Sequence, residues 1–252
     1  MSKRSFMAQL SAALECGEGD DELRTLTEQT YARLRADIIE GHLQPGSKLR
    51  IDHLRGQYGV SAGTLREALT RLVSDALVTA EGQRGFRVSP IALEDLEDLT
   101  RLRVHIETHA LRLAIRHGDM AWRKALEASF EAMSEFEQPL TMARRRQWEV
   151  LNARFHDALL AGHESPWTRR VLRLLTRHGE RYRCFAMQLP GMTRDVHLEH
   201  KGIFELAMAG EDARAALALE AHICATPYSL IRALRDGSIV LPGSVDERSV
   251  VA

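Results

Sequence analysis

Four polar residues interrupt apolar helical stripes in the C-terminal half of the chain: Asn152, His156, His200 and His222. Asn152 and His156 are one turn apart, beside Phe155 and Leu159, so they project together along the inward edge of one helix. His200 shares a face with Ile203, Phe204 and Ala207, and His222 sits among Leu219, Ile223 and Thr226. Such groups are costly to bury unless they are paired, hydrogen-bonded or bound to a metal. Three imidazole nitrogens and one amide oxygen suit a divalent transition metal with positions open to further ligands, zinc first and nickel as the alternative. Spacing alone leaves a second reading open, in which these are hydrogen-bonded structural residues. His197, one turn before His200, is expected on the surface.

Arg103 and Glu107 form another one-turn pair, on a helix whose Leu99, Ile106, Ala110 and Leu111 should be core. The plain reading is an intrahelical ion pair. Arg181 and Arg183, in the run Arg181-Tyr182-Arg183, are further candidates for an anionic ligand, with solvated arginines as the alternative. No His-Glu-x-x-His helix is present and no obvious general base accompanies the histidines, which argues against the rival reading as a metal-dependent hydrolase.

The elements that must position these residues are helical. Amphipathic stretches over about 93–117, 119–137, 141–162, 166–188, 194–209 and 211–235 predict six helices, an all-α bundle of antiparallel neighbours. The N-terminal half reads differently. A helix over Leu26 to Glu40 ends at Gly41 and is followed by a Leu43-Gln44-Pro45-Gly46 turn. Ile51 to Tyr58 gives a second helix stopped by Gly59, and Ser61 caps a third whose stripe is Leu65, Ala68, Leu69 and Leu72. Two short strands, Leu77 to Ala80 and Gly85 to Val88, are joined through Glu81-Gly82-Gln83-Arg84 in what should be a tight turn. Helix, turn, helix and hairpin make a winged helix-turn-helix, so the fold class is mainly α, with that unit N-terminal to the bundle.

The run Gly59-Val60-Ser61, then Leu65-Arg66-Glu67-Ala68-Leu69, Leu72, Leu77-Val78 and Gly85 resembles the DNA-binding signature of the GntR family of bacterial transcription regulators. That resemblance implies DNA contacts by Arg66, with Ser61, Gly63 and Thr64 close to backbone or bases. It also implies Arg84 and Gly85 of the wing in the adjacent minor groove, and Arg50 and Arg71 as lesser contacts. Ala62 and Thr64 stand where many members carry arginine and proline, so one customary contact is missing.

The spacing Asn152-x-x-x-His156, His200 and His222 is similar to the metal-binding set of the FCD ligand-binding domain of the FadR subgroup. The pattern often has aspartate where Asn152 stands, and a neutral amide is the weaker donor. By the same resemblance Arg103 would hold a ligand carboxylate bidentately. The Arg-Tyr-Arg helix and the Gly63-to-Leu69 run are most similar to regulators of dicarboxylate or glutarate-type catabolism.

The remaining sequence sets bounds. Its 252 residues suffice for two cores. Residues 25–90 hold nine Lys/Arg against seven Asp/Glu, too small an excess for bulk attraction to DNA, so a homodimer with well-placed contacts is expected. Cys16, Cys184 and Cys224 show no paired spacing, which fits a reducing cytoplasm. No targeting or spanning segment is evident, and no membrane partner is expected.

The expected organisation is a mobile tail over 1–24, a DNA-binding domain over 25–90, an effector-binding and dimerisation bundle over 91–239, and a second tail over 240–252. The expected function is transcription regulation, most simply repression. A dimer would bind a near-palindromic double-stranded DNA operator and be released by a small organic acid at the metal. A constitutive architectural DNA binder is the remaining rival.

Overall fold

The computed structural model describes residues 25–137, 141, 144–187, 194–235 and 237, and the chain divides into two compact units that meet between Pro90 and Ile91. Both expected tails, and Cys16, lie outside the described residues.

The first unit contains α1 (Leu26–Ile39), β1 (Lys48–Leu49), α2 (Ile51–Tyr58), α3 (Ala62–Ser74), β2 (Val78–Ala80) and β3 (Phe86–Val88). Thr25 opens α1 with a capping box: its hydroxyl accepts from the Glu28 N–H while the Glu28 carboxylate accepts from the Thr25 N–H. Gly59 ends α2 at φ +67, a left-handed conformation that only glycine adopts at little cost. Two residues later the Ser61 hydroxyl accepts the Thr64 N–H at 3.1 Å and starts α3. The apolar stripes then meet in one core of Leu34, Leu54, Leu65, Leu69, Leu72, Leu77 and Val88. At its edges the Tyr31 hydroxyl donates to Asp75 and the Tyr58 hydroxyl to Asp37.

The wing differs from the sequence reading in two respects. A third strand, β1, pairs with β3, giving the antiparallel order β1-β3-β2; two residues offer too short a run for period-two alternation to reveal. The connection from β2 to β3 is a 3-10 turn over Gly82–Arg84 instead of a tight hairpin turn. Gly85 closes it at φ +94, ψ −136, a backbone state essentially confined to glycine.

The second unit is all-helical among its described residues: α4 (Leu93–His117), α5 (Met120–Glu137), α6 (Arg145–Leu160), α7 (Pro166–Met187), α8 (Val196–Met208) and α9 (Asp212–Arg235). All six expected helices are present, α6 beginning four residues later than its amphipathic pattern suggests. Helix α4 packs along α9, α5 on α6, and α8 against both α9 and α5. Phe155, Leu159, Ile203, Ala207 and Leu219 are buried where α6, α8 and α9 converge. Among the described residues no helix is long and apolar enough to cross a membrane.

Candidate metal centre and nucleic-acid interface

Helices α6, α8 and α9 each deliver one imidazole to the same interior point. One ligand-competent nitrogen of each of His156, His200 and His222 lies within 4.8 Å of the other two. His200 is 0% exposed, and its Nε2 and the Nδ1 of His156 are buried without a hydrogen-bond partner. Asn152, one turn before His156, is 4% exposed.

The other face of two rings is committed to carboxylates. His200 donates from Nδ1 to Glu137 Oε1 at 2.6 Å, while His222 Nδ1 lies 2.9 Å from Glu199 Oε2 and 3.1 Å from Arg194 Nη2, an acceptor and a donor that suit either tautomer of that ring. Each ring therefore turns Nε2 away from its carboxylate, the arrangement that metal-binding histidines commonly show. Burial pushes His156 and His222 well below the ordinary histidine range, and neighbouring histidines and the Arg103 and Arg183 guanidiniums add to it. The two rings thus stand neutral at pH 7, with lone pairs available. Orphaned buried nitrogens, two neutral rings and the Nδ1 proton of His200 held by a carboxylate together fit a divalent transition metal.

Glu137, absent from the sequence-based candidates, is carried by α5. It accepts from three side chains: His200, the Trp148 indole at 3.0 Å, and His197 Nδ1 at 3.2 Å. Burial raises its carboxyl, but these hydrogen bonds outweigh burial and hold it below the usual carboxylate range. His197, expected on the surface, is half-buried, its side chain 17% exposed. Its ring stacks on Phe130 while Glu137 holds Nδ1, because the turn of α8 that buries His200 also carries His197 against α5.

Arg103 donates from Nε to Glu107 Oε1 at 2.7 Å, so the ion pair read from spacing is present. Arg183 pairs through Nη2 with Glu149 Oε2 at 2.9 Å. The Nη1 atoms of both arginines turn toward Gly179 of α7. A methyl group there would lie 2.9 Å from Arg103 Nη1 and 3.3 Å from Arg183 Nη1. Glycine is what allows two guanidiniums to approach the same point of that helix. Arg181 belongs elsewhere: two residues before Arg183 and on another face of α7, it has Tyr182 and Asp95 as its charged or polar neighbours.

In the first unit, α3 exposes Gly63, Arg66, Glu67, Thr70 and Arg71 opposite its buried Leu65, Ala68, Leu69 and Leu72. Thr64 is half-buried and its hydroxyl is 2.9 Å from that of the exposed Ser61, so the two hydroxyls are held together at the start of α3. Arg71 is partly engaged, its guanidinium lying 4.6 Å from the centre of the Tyr31 ring. Arg50 is exposed at the N-cap of α2, Arg84 is exposed in the wing, and Gly85 follows it.

A winged helix-turn-helix on a chain with a helical bundle that gathers three histidines and two arginines defines a DNA-binding regulator with a small-molecule sensor. Comparison with known proteins gives the family. Residues 26–88 match the gntR family of bacterial regulatory proteins, and residues 98–225 match the FCD domain. The chain is 39% identical over 206 residues to the HTH-type transcriptional regulator BphR of Paraburkholderia xenovorans, covering 80% of this chain and 83% of that one. It is 30% identical to the HTH-type transcriptional repressor GlaR of Escherichia coli, over 82% of this chain and 96% of the relative.

Among solved structures, a GntR regulator from Rhodococcus sp. RHA1 superposes with a TM-score of 0.65 at 21% identity, over 82% of this chain and 98% of that one. McbR/YncC of E. coli gives 0.64 at 21%, over 86% and 100%; these two likenesses speak to the fold. The chain belongs to the GntR family and carries an FCD domain. It is a DNA-binding transcriptional regulator, not an enzyme.

Proposed function

We propose that this regulator is a cytoplasmic repressor that binds a near-palindromic operator as a homodimer and is released by a small dicarboxylate held at a metal in the bundle. The observation carrying this reading is the convergence of three imidazoles, two with a buried unpartnered nitrogen, in a field to which Arg103 and Arg183 contribute.

His156, His200, His222 and Asn152 would hold the metal, zinc or nickel in type. All four are neutral as ligands, so a divalent ion would keep its full charge and call for an anionic partner. Once bound it supplies a Lewis-acidic centre for one carboxylate oxygen. The Nη1 groups of Arg103 and Arg183, not used in the ion pairs with Glu107 and Glu149, offer a second anion-seeking pole. Two poles favour a dicarboxylate over a monocarboxylate. Arg181, with its different neighbours, is left out of this role.

On the DNA side, Arg66 would read or position the operator from the first turns of α3. Ser61, Gly63 and Thr64 would lie against the backbone, Arg84 and Gly85 would enter the minor groove, and Arg50 and Arg71 would contribute less. A single recognition helix covers half a site, which is why a dimer on a two-fold operator is the economical arrangement. Four residues, 89–92, join β3 to α4, short enough for ligand binding in the bundle to be felt by the DNA-binding unit.

The test is operator affinity of the zinc- or nickel-loaded full-length protein against a panel of mono- and dicarboxylates. Release by a dicarboxylate, abolished by chelation, is expected. Operator affinity indifferent to both metal and every carboxylate would instead favour a constitutive architectural binder.

A further inference from the structure

Glu137 occupies a place that the fold alone does not reward. It lies on α5 with its side chain 1% exposed. An apolar side chain would fill that position without a desolvation cost. What the carboxylate does there is accept from His200 and His197, three residues apart on α8, and from Trp148 on α6.

The bond to His200 is the consequential one. An imidazole can carry its proton on either nitrogen, and only a bare nitrogen binds a metal. With Glu137 Oε1 2.6 Å from Nδ1, the proton is held on that side, and the fully buried Nε2 is left bare. That Nε2 faces the convergence of the three rings, whose centroids lie 5.5 Å (His156 to His200) and 4.5 Å (His200 to His222) apart. Trp148 donates to the same Oε1 and fixes the carboxylate from α6, the helix that also carries His156. His222 has a carboxylate neighbour in Glu199, but that carboxylate is shared with Arg194, whose Nη2 lies 3.1 Å from His222 Nδ1 and also donates to the His222 carbonyl at 2.6 Å, so no single tautomer is imposed there.

We propose that Glu137 is the positioning residue of the metal centre, holding the His200 ring in the orientation and tautomer whose Nε2 binds the ion. This rests on the metal-site reading above and adds a residue to it from a helix that supplies none of the ligands. Outer carboxylates of this kind typically govern affinity by about 10- to 100-fold.

The experiment is calorimetric titration of metal-stripped full-length protein with zinc or nickel, beside nitrogen-15 NMR of the His200 ring. E137A is expected to weaken metal binding by about 10- to 100-fold and to let His200 populate the other tautomer. E137Q keeps an acceptor for the Nδ1 proton without the charge, and should retain the tautomer with an intermediate loss of affinity.

Metal affinity of E137A within twofold of wild type, or an unchanged His200 tautomer, overturns the proposal. If E137A does not fold, the E137Q tautomer and affinity decide it alone: wild-type values for both overturn it. Failure of the underlying site reads out separately, as wild-type protein that takes up no metal or as H200A that binds it undiminished.

Discussion

Arg103 holds Glu107 through Nε at 2.7 Å and at the same time turns Nη1 to the α7 backbone at Gly179. An ion pair along one helix thereby fixes a guanidinium whose remaining edge serves the neighbouring helix. The Gly179 position becomes a direct probe of whether that edge binds ligand.

Gly179→Ala adds a methyl group 2.9 Å from Arg103 Nη1, closer than such contacts are found, and the flexible end of the arginine is what must move. Replacing glycine inside a helix gains up to about 1 kcal/mol of helix propensity, so the melting temperature should hold or rise. The rise in melting temperature produced by a dicarboxylate should shrink. A full-sized ligand response in this variant would remove the two arginines from the effector pole.

Asn152→Asp should act in opposite directions on the two ligands. A carboxylate is a stronger donor to a divalent ion than an amide, so metal affinity rises. It also cancels one unit of the site's positive charge, so affinity for an anionic effector falls. Calorimetry of both binding steps tests this; an Asn152→Asp protein unchanged in both would make Asn152 a structural residue.

His200→Ala and His222→Ala should each lower the metal content of the purified protein, and chelation of the wild type should abolish the thermal response to carboxylates. A ligand at 100 times its dissociation constant stabilises by about 2.7 kcal/mol, so the loss is measurable. Full metal occupancy in both variants would refute the site.

Arg66→Ala removes an exposed side chain of α3 that is not among the buried residues of its apolar stripe. Folding should be unaffected, and specific operator binding should weaken by about 1–3 kcal/mol if Arg66 contacts a base. If it contacts only phosphate, affinity falls equally on specific and random DNA and the salt dependence becomes shallower. Unchanged affinity would mean that α3 is not the recognition helix.

Most helices were legible because their evidence is local. The Leu65, Ala68, Leu69, Leu72 stripe and the Ser61 cap define α3 within fourteen residues, and the bundle helices carry the same periodicity at greater length. Strand β1 was not legible, since its two residues acquire their identity only from pairing with Arg87 and Phe86, nearly forty positions away.

His156, His200 and His222 stood out as polar interruptions of apolar faces, whereas the half-buried contact of His197 with Glu137 did not. Its partner Glu137 comes from α5, which the pattern of its own helix does not reveal. Gly179 left a fainter signal, a glycine inside a long helix, unfavourable locally and so a sign of a partner elsewhere.

What the sequence determined by itself is the kind and order of the elements and which face of each is apolar, because backbone periodicity and capping act over a few residues. The tertiary structure decided which polar groups on those faces meet. Three imidazoles from three helices, a carboxylate from a fourth, and two guanidiniums drawn to one glycine are set by how α4 to α9 pack. Distances across a bundle are fixed by the summed shapes of many side chains, which no single stretch of sequence carries.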